Sequence, residues 1–266
     1  MNRLISAGMG LSLGVMASMA TSQEGEGLQG NVGQVSTHMG EMSVTMPNGE
    51  DAVQDRLRFE PFQMVEELFL RDDIVFLMRH GPTDWSFLDK KDVDPTDCEN
   101  QRIMNEEGRA AMRALGTLLA ANEILPGKII VSEWCRNQQT LEELQAGFAA
   151  FDPAIVDQIP VETDPDLNLL LSLQGAPDVT GLRELITNWD GQVGDGPLML
   201  ISHFTNIEEL TNFQVFEGEM LMIDPDRDNR VIGYLRLRSA APDVGHFDTE
   251  DAELEVEPVG EAVSDG

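Results

Sequence analysis

Two apolar segments of this chain each end on residues that can do chemistry. The run 74–78 is followed by Arg79, His80 and Gly81, and the run 198–202 is followed by His203. A neutral imidazole nitrogen is a nucleophile, and with a phosphoryl donor it can form a phosphohistidine. A guanidinium group can bind two oxygens of an anion at once, which suits Arg79 to a phosphoryl group. The pattern predicts a phosphoryl site in which His80 reacts.

A third apolar run, 128–132, is followed by Arg136 at the start of a predicted helix. The free backbone N–H groups of a helix N-terminus favour an anion. In open α/β sheets, ligands bind at the carboxyl ends of the strands. We therefore expect Arg79, His80, Arg136 and His203 to converge at one edge of a sheet. Alone, each has a structural interpretation, such as a hydrogen-bonded core histidine or an arginine paired with the acidic surface.

The segment between residues 73 and 238 alternates short apolar runs with stretches of helical spacing. The predicted strands are 74–78, 128–132, 198–202, 219–223 and 231–237. The predicted helices are 105–122, 136–151, 179–188 and 206–213. This alternation predicts an α/β fold, a three-layer α/β/α sandwich with a mostly parallel central sheet. The acidic segment 84–100 is too polar for the core, and we expect it to form a flap beside the site.

The charge of the chain excludes some classes of partner. Its 266 residues include 48 Asp and Glu against 17 Lys and Arg, a formal net charge of −31. Such a surface repels nucleic acid and anionic membranes, so neither is expected as a partner. A site that binds an anion must overcome the repulsion from this negative charge with local positive charge. The adjacent Arg79 and His80 supply it. The composition does not indicate an oligomeric state.

The two ends of the chain differ in composition from the middle. Residues 1–20 combine Arg3, a weakly polar apolar stretch and a small-x-small pattern, which indicates a secretory signal peptide cleaved after Ala20. We therefore expect a periplasmic or secreted protein, with no other segment apolar enough to enter a membrane. A flexible leader is predicted over 21–58, the domain over 59–240, and an acidic disordered tail over 241–266.

The chain has two cysteines, Cys98 and Cys135. An exported protein of this kind can form one disulfide. A bridge is favoured over two free thiols because Cys135 is next to Arg136, where a free thiol would be exposed to oxidants. The sequence contains no closely spaced ligand pair such as C-x-x-C or H-x-x-x-H, so it does not indicate a metal site.

Four segments, taken in order, resemble the motifs of a known family. Residues 79–86, with the sequence R-H-G-P-T-D-W-S, are similar to the R-H-G-E-T-x-W-N opening of the histidine phosphatase superfamily, also called the phosphoglycerate-mutase-like group. Residues 132–140 resemble its S-x-x-x-R-x-x-x-T element, 105–109 the start of its first long helix, and 202–207 its second-histidine segment. The later segments are more similar to small exported members of the group than to glycolytic mutases.

The resemblance implies a function and a set of roles. His80 would be the phosphorylated nucleophile, and Arg79, Arg136 and His203 would bind the phosphoryl oxygens. The expected activity is hydrolysis of a small phosphomonoester, with no metal or organic cofactor implied.

The chain also departs from the family pattern. Pro82 and Ser86 stand where the family often has Glu and Asn, and the usual proton-donating Glu has no clear counterpart. Since a general acid is needed to protonate a leaving alcohol, Asp84, Asp166 and Glu219 are candidates for this role. Without an acid, the alternative is a non-catalytic phosphate- or phosphoester-binding protein of the same fold.

Overall fold

The computed structural model describes residues 34–38, 41–45, 53–61 and 65–240 of the chain. The predicted signal peptide (1–20) and the predicted acidic tail (241–266) lie outside the described residues. Within the described part, no helix has both the length and the apolar character needed to cross a membrane.

The described residues form one sheet with helices packed against it. The strands are β1 Gln34–His38, β2 Glu41–Thr45, β3 Leu57–Glu60, β4 Val75–Arg79, β5 Lys128–Val131, β6 Val161–Thr163, β7 Leu198–Ser202, β8 Met220–Asp224 and β9 Arg230–Leu237. The helices are α1 Val65–Leu70, α2 Glu106–Ala121, α3 Cys135–Phe151, α4 Thr180–Thr187 and α5 Phe204–Thr211. All the elements predicted from the sequence are present, each within about two residues of its predicted bounds.

The sheet has the order β1-β2-β3-β9-β8-β4-β7-β5-β6. The pairs β4–β7, β7–β5 and β5–β6 are parallel, and the pairs from β4 outwards to β1 are antiparallel. The sheet is therefore mixed rather than mostly parallel. The short connection between β8 and β9 explains much of the difference, because it can join neighbouring strands only as a hairpin.

Helices cover both faces of this sheet, so the predicted three-layer α/β/α sandwich is confirmed. On one face, Phe76 and Met78 of β4 belong to a core cluster with side chains of α2 and α3. On the other face, Val75 and Leu77 belong to a second cluster with side chains of α4 and α5. Because β4 is buried on both faces, its sequence is continuously apolar instead of alternating.

Part of the predicted leader belongs to the sheet. Strands β1 and β2 and the start of β3 lie within residues 21–58, and Met42 and Leu57 are fully buried. The sheet therefore continues through these strands, upstream of residue 59, the predicted start of the domain. The composition of the segment, rich in Gly, Ser and Met, concealed these short strands. Only β3 pairs directly with β9, β2 and β1 follow it in the sheet, and β2 and β3 pack on α2.

The packing of α2 against α3 fixes the position of α3, whose first turn contains Arg136. A Cβ atom on Gly116 would lie 2.3 Å from the carbonyl oxygen of Leu144, and one on Gly147 would lie 2.2 Å from that of Arg113. The two glycines therefore allow the helix backbones to approach closely. Helix α2 begins, as predicted, at Asn105, whose Oδ1 accepts a 2.6 Å hydrogen bond from the N–H of Gly108.

Candidate active site

The carboxyl ends of β4 and β7 bring the two predicted histidines together. The parallel pairing places Arg79 opposite Ser202, and the N–H of His80 donates to the carbonyl of Ser202 at 3.1 Å. The imidazole rings of His80 and His203 meet edge to face, with 5.6 Å between their centroids. Both side chains are almost fully buried.

The environment of His80 leaves one ring nitrogen able to attack. Its Nδ1 lies 3.0 Å from the carbonyl oxygen of Gly81, which can only accept, so Nδ1 carries the hydrogen and Nε2 keeps its lone pair. Burial, followed by the positive charges of Arg136 and Arg79, lowers the pKa of His80 well below its usual value. The ring is therefore a neutral nucleophile at neutral pH.

Gly81 and Thr140 connect His80 to α3. The N–H of Gly81 donates to Thr140 Oγ1 at 2.8 Å, and that hydroxyl donates to the carbonyl of Arg136 at 2.7 Å. A Cβ atom at residue 81 would lie 2.4 Å from Met112 Cγ. This close approach explains the glycine at the strand end and sets the position of His80 relative to Arg136.

The guanidinium of Arg79 is held from several sides. Its Nη1 donates to the carbonyl of Val215 at 3.0 Å, and its Nη2 lies 3.4 Å from Glu217 Oε1. The group also lies over the ring of Phe204, 5.2 Å from the centroid. These contacts hold the guanidinium of Arg79 in a fixed position next to His80.

Arg136, the second residue of α3, is also buried. Its guanidinium packs against the ring of Trp134, 4.9 Å from the centroid, and Trp134 in turn contacts His203 at 5.8 Å between centroids. Both carboxylate oxygens of Asp89 lie 3.1 Å from Arg136 Nη1. Among the described residues, Arg136 Nε has no hydrogen-bond partner. Arg136 therefore has donor capacity left for an anion.

A third arginine, Arg102, joins the cluster and was missed by sequence reasoning. Its guanidinium stacks on Trp85, 3.5 Å from the ring centroid, and its carbonyl lies 3.4 Å from Arg136 Nη1. Burial, and then repulsion from Arg136, lowers the pKa of Arg102 to about 10, so it stays positively charged at neutral pH. The available signal was an arginine two residues after a flap rich in acidic side chains. We call His80, His203, Arg79, Arg102 and Arg136 the anion site.

His203 is oriented by Ser132, which directly follows β5, and by Asn168 in the loop after β6. Ser132 Oγ donates to Asn168 Oδ1 at 2.8 Å, so at 3.2 Å it accepts from Nε2–H of His203. Nδ1 of His203 has no partner among the described residues. Burial, followed by Arg136 and Arg79, lowers the pKa of His203 well below its usual value. An anion bound nearby would oppose this shift, so His203 can take up a proton and donate it in a hydrogen bond.

The three predicted acid candidates lie in different surroundings. Asp84 is exposed and binds Ser86, which lowers its pKa. Asp166 is exposed beside Gly181 at the start of α4, where burial and Asp164 raise its pKa. Glu219 is buried, accepts from the N–H of Phe216 and pairs with Arg236. None of the three makes a direct side-chain contact with His80 or Arg136 in the structure.

Two other carboxylates do contact the anion site. Glu217 accepts from Thr83 Oγ1 at 2.7 Å beside Arg79 and is buried. Asp89, on the flap, spans Arg136 and the backbone N–H of Arg102, which donates to it at 2.6 Å. The predicted flap, residues 84–100, thus reaches the site through Asp89.

The cysteine pair holds the flap at its other end. Cys98 and Cys135 form a disulfide, with their Cα atoms 5.5 Å apart, so the predicted bridge is confirmed. Next to it, the Gln101 side chain accepts from the N–H of Cys135 and donates to the carbonyls of Asp94 and Pro95. These contacts attach the flap to the first turn of α3, beside Arg136.

Comparisons with known proteins give a family and distant structural resemblances. The comparison with curated proteins found no match. Among solved structures, SixA from Agrobacterium tumefaciens is 20% identical with a TM-score of 0.42, over 60% of this chain and 96% of that chain. A mycobacterial glucosyl-3-phosphoglycerate phosphatase is 15% identical with a TM-score of 0.38, over 62% and 96%. At these values, neither resemblance carries an argument about activity.

The family comparison is more informative about this chain. The model of the histidine phosphatase superfamily (branch 1) matches residues 75–168. The matched part contains Arg79, His80, Arg102 and Arg136, whereas His203 follows it in sequence. The resemblance drawn from the motifs is thus confirmed over residues 75–168, where this chain matches the histidine phosphatase superfamily.

Proposed function

We propose that this protein hydrolyses a small phosphomonoester through a phosphohistidine on His80. The observation that supports this most directly is the neutral imidazole of His80, with Nε2 free, beside the buried guanidinium groups of Arg79 and Arg136 and the partly buried one of Arg102. A nucleophile kept unprotonated beside fixed positive charge suits an anionic electrophile, and a phosphoryl group is one.

The reaction has two steps. In the first, Nε2 of His80 attacks phosphorus, the P–N bond forms, the ester P–O bond breaks and the leaving oxygen takes a proton. In the second, water attacks phosphorus and gives one proton to the carboxylate that protonated the leaving oxygen, and the P–N bond breaks, which releases inorganic phosphate and restores neutral His80. Arg79, Arg102 and Arg136 stabilise the charge on the equatorial oxygens in both steps. His203, protonated when the dianion binds, adds a fourth donor.

We assign the proton for the leaving oxygen to Asp89. Its carboxylate occupies Arg136 Nη1, so a phosphoryl group that binds there must displace it. The displaced carboxyl group would then lie beside the phosphoryl group. Asp89 also lines a cavity next to the site, where a leaving group has room. Asp89 can therefore lie next to the departing oxygen and give it a proton.

The test compares the wild-type protein with His80→Ala on p-nitrophenyl phosphate, with phosphate release as the readout. We expect turnover in the wild type, which persists below pH 6.5 because the pKa of His80 is lowered, and loss of at least about 10³-fold in the variant. Acid quenching during turnover should trap a phosphorylated peptide that contains residue 80.

A non-catalytic phosphate-binding protein gives a different result. Equal phosphate binding by both proteins, with turnover in neither, would reject the enzymatic proposal. Turnover unaffected by His80→Ala would reject the assigned nucleophile.

We also propose that the protein is exported, with a signal peptide removed after Ala20. The pattern of residues 1–20 and the Cys98–Cys135 disulfide support an oxidising compartment. Intact mass measurement of the protein recovered from its native envelope fraction tests this, because a chain that retains residue 1 would contradict it.

A further inference from the structure

A cavity lies between the flap and the loop 169–173, next to the anion site. Its volume is about 500 Å³, and its wall includes Asp89, Lys90, Lys91, Trp134, Leu171 and Leu173. Trp134 lies between this cavity and the anion site, since its ring contacts both His203 and the guanidinium of Arg136. A substrate whose phosphoryl group is held by Arg136 would extend its leaving group into this space.

The charge in the cavity is unusual for this chain. The sequence contains three lysines in all, and two of them, Lys90 and Lys91, are adjacent in this wall. Both are exposed, in a chain with a net charge of −31. The carboxylate of Asp89 is paired with Arg136, which leaves Asp92 as the opposing charge on the flap side. The wall therefore has a local excess of positive charge.

The opposite wall is apolar. Leu171 and Leu173 are 81% and 79% exposed, so each presents most of its side chain to solvent. The base of their loop is fixed, because Asn206 of α5 donates to the carbonyl of Asn168 at 2.8 Å and accepts from the N–H of Leu170. Two exposed leucines on an anchored loop, opposite two lysines, form a surface with one apolar and one cationic side.

We infer that this cavity binds the leaving group of the substrate, and that this group has an apolar body and a second anionic group. The lysines bind the second anion, and Leu171 and Leu173 contact the apolar body. Trp134 supplies a further donor, because its buried indole N–H has no acceptor among the described residues. This inference rests on the proposed function, in that Arg136 and its neighbours must hold the phosphoryl group.

The test measures binding of two phosphonates that cannot be hydrolysed, 4-carboxybenzylphosphonate and its methyl ester, by calorimetry. They differ in the second negative charge and in the methyl group of the carboxyl ester that replaces it. For the wild type we expect the carboxylate to bind about tenfold more tightly than the ester, as two partly exposed ion pairs would give. The preference should disappear in Lys90→Ala/Lys91→Ala and remain in Lys128→Ala, the matched control, whose lysine pairs with Glu162.

A second arm tests the apolar wall. Leu171→Ser/Leu173→Ser should weaken binding of both phosphonates about fivefold and leave inorganic phosphate unaffected, whereas Leu70→Ser, at another exposed leucine, should change neither. Equal affinity of the wild type for acid and ester, or an equal loss in Lys128→Ala, would overturn the inference. If Arg136→Ala leaves phosphonate binding intact, the proposed function fails instead, since the phosphonate is then not held at the anion site.

Discussion

At the scale of residues, the site combines groups that cannot all keep their usual charge. Two buried guanidinium groups, a third that is partly buried and two buried imidazoles lie together, and the imidazoles respond by remaining neutral. Two carboxylates lie against the arginines: Glu217 beside Arg79, and Asp89 beside Arg136. Asp89 is the carboxylate that a phosphoryl group must replace at Arg136, so its removal should affect binding and proton transfer in opposite directions.

Asp89→Asn separates these two effects. The amide cannot donate an acidic proton, so kcat on an alkyl phosphate, whose leaving group needs protonation, should fall about 10²-fold. On p-nitrophenyl phosphate, whose leaving group needs little protonation, kcat should change less than threefold. Inorganic phosphate should inhibit the variant more strongly, because the competing negative charge on Arg136 is gone. Steady-state kinetics on both substrates checks this.

Asp84→Asn is the matched control for that variant, since Asp84 is an exposed flap carboxylate that binds Ser86 rather than Arg136. It should leave both substrates unaffected. An equal fall in kcat on alkyl and aryl phosphates in Asp89→Asn would assign Asp89 a structural role and leave the proton donor elsewhere.

At the scale of elements, the strand ends were predictable and the flap contacts were not. Ile74–Met78 and Leu198–Ile201 are apolar throughout because both strands are buried on both faces, so the residues that follow them could be placed at one edge. By contrast, Asp89 and Arg102 reach the site from a segment without regular periodicity. Their positions depend on the disulfide and on Gln101, which are long-range contacts that no local pattern encodes.

The disulfide between the flap and α3 gives a prediction at this scale. Cys98→Ser/Cys135→Ser removes a cross-link over 37 residues, which should lower the free energy of unfolding by about 3–4 kcal/mol. The effect arises because the unfolded chain gains the conformations that the cross-link excludes. Urea unfolding monitored by circular dichroism measures it.

Reduction supplies the internal control for that experiment. A reducing agent should destabilise the wild type to the level of the double variant and leave the double variant unchanged. If the double variant is as stable as the oxidised wild type, the bridge has no role in stability, and the flap is fixed by its hydrogen bonds alone.

At the scale of the whole molecule, the anion site lies within a strongly negative chain. A net charge of −31 repels a phosphate dianion before it reaches the guanidinium groups. The site overcomes this at short range through buried arginines, where screening by salt is weak. Salt therefore acts mainly on the long-range repulsion, and encounter with substrate should be faster when that repulsion is screened.

We therefore expect kcat/KM to depend on salt with the opposite sign to that of an enzyme whose net charge attracts its substrate. When KCl increases from about 0.01 to 0.15 M, the Debye length falls from about 30 to 8 Å. kcat/KM for p-nitrophenyl phosphate should then rise about tenfold with kcat nearly constant, because only the approach of the dianion is affected. Sulfate at equal ionic strength should produce a smaller rise, since it also competes for the anion site. A steady fall of kcat/KM with KCl would mean that the arginines dominate the field at long range, and that the polyanion does not oppose binding.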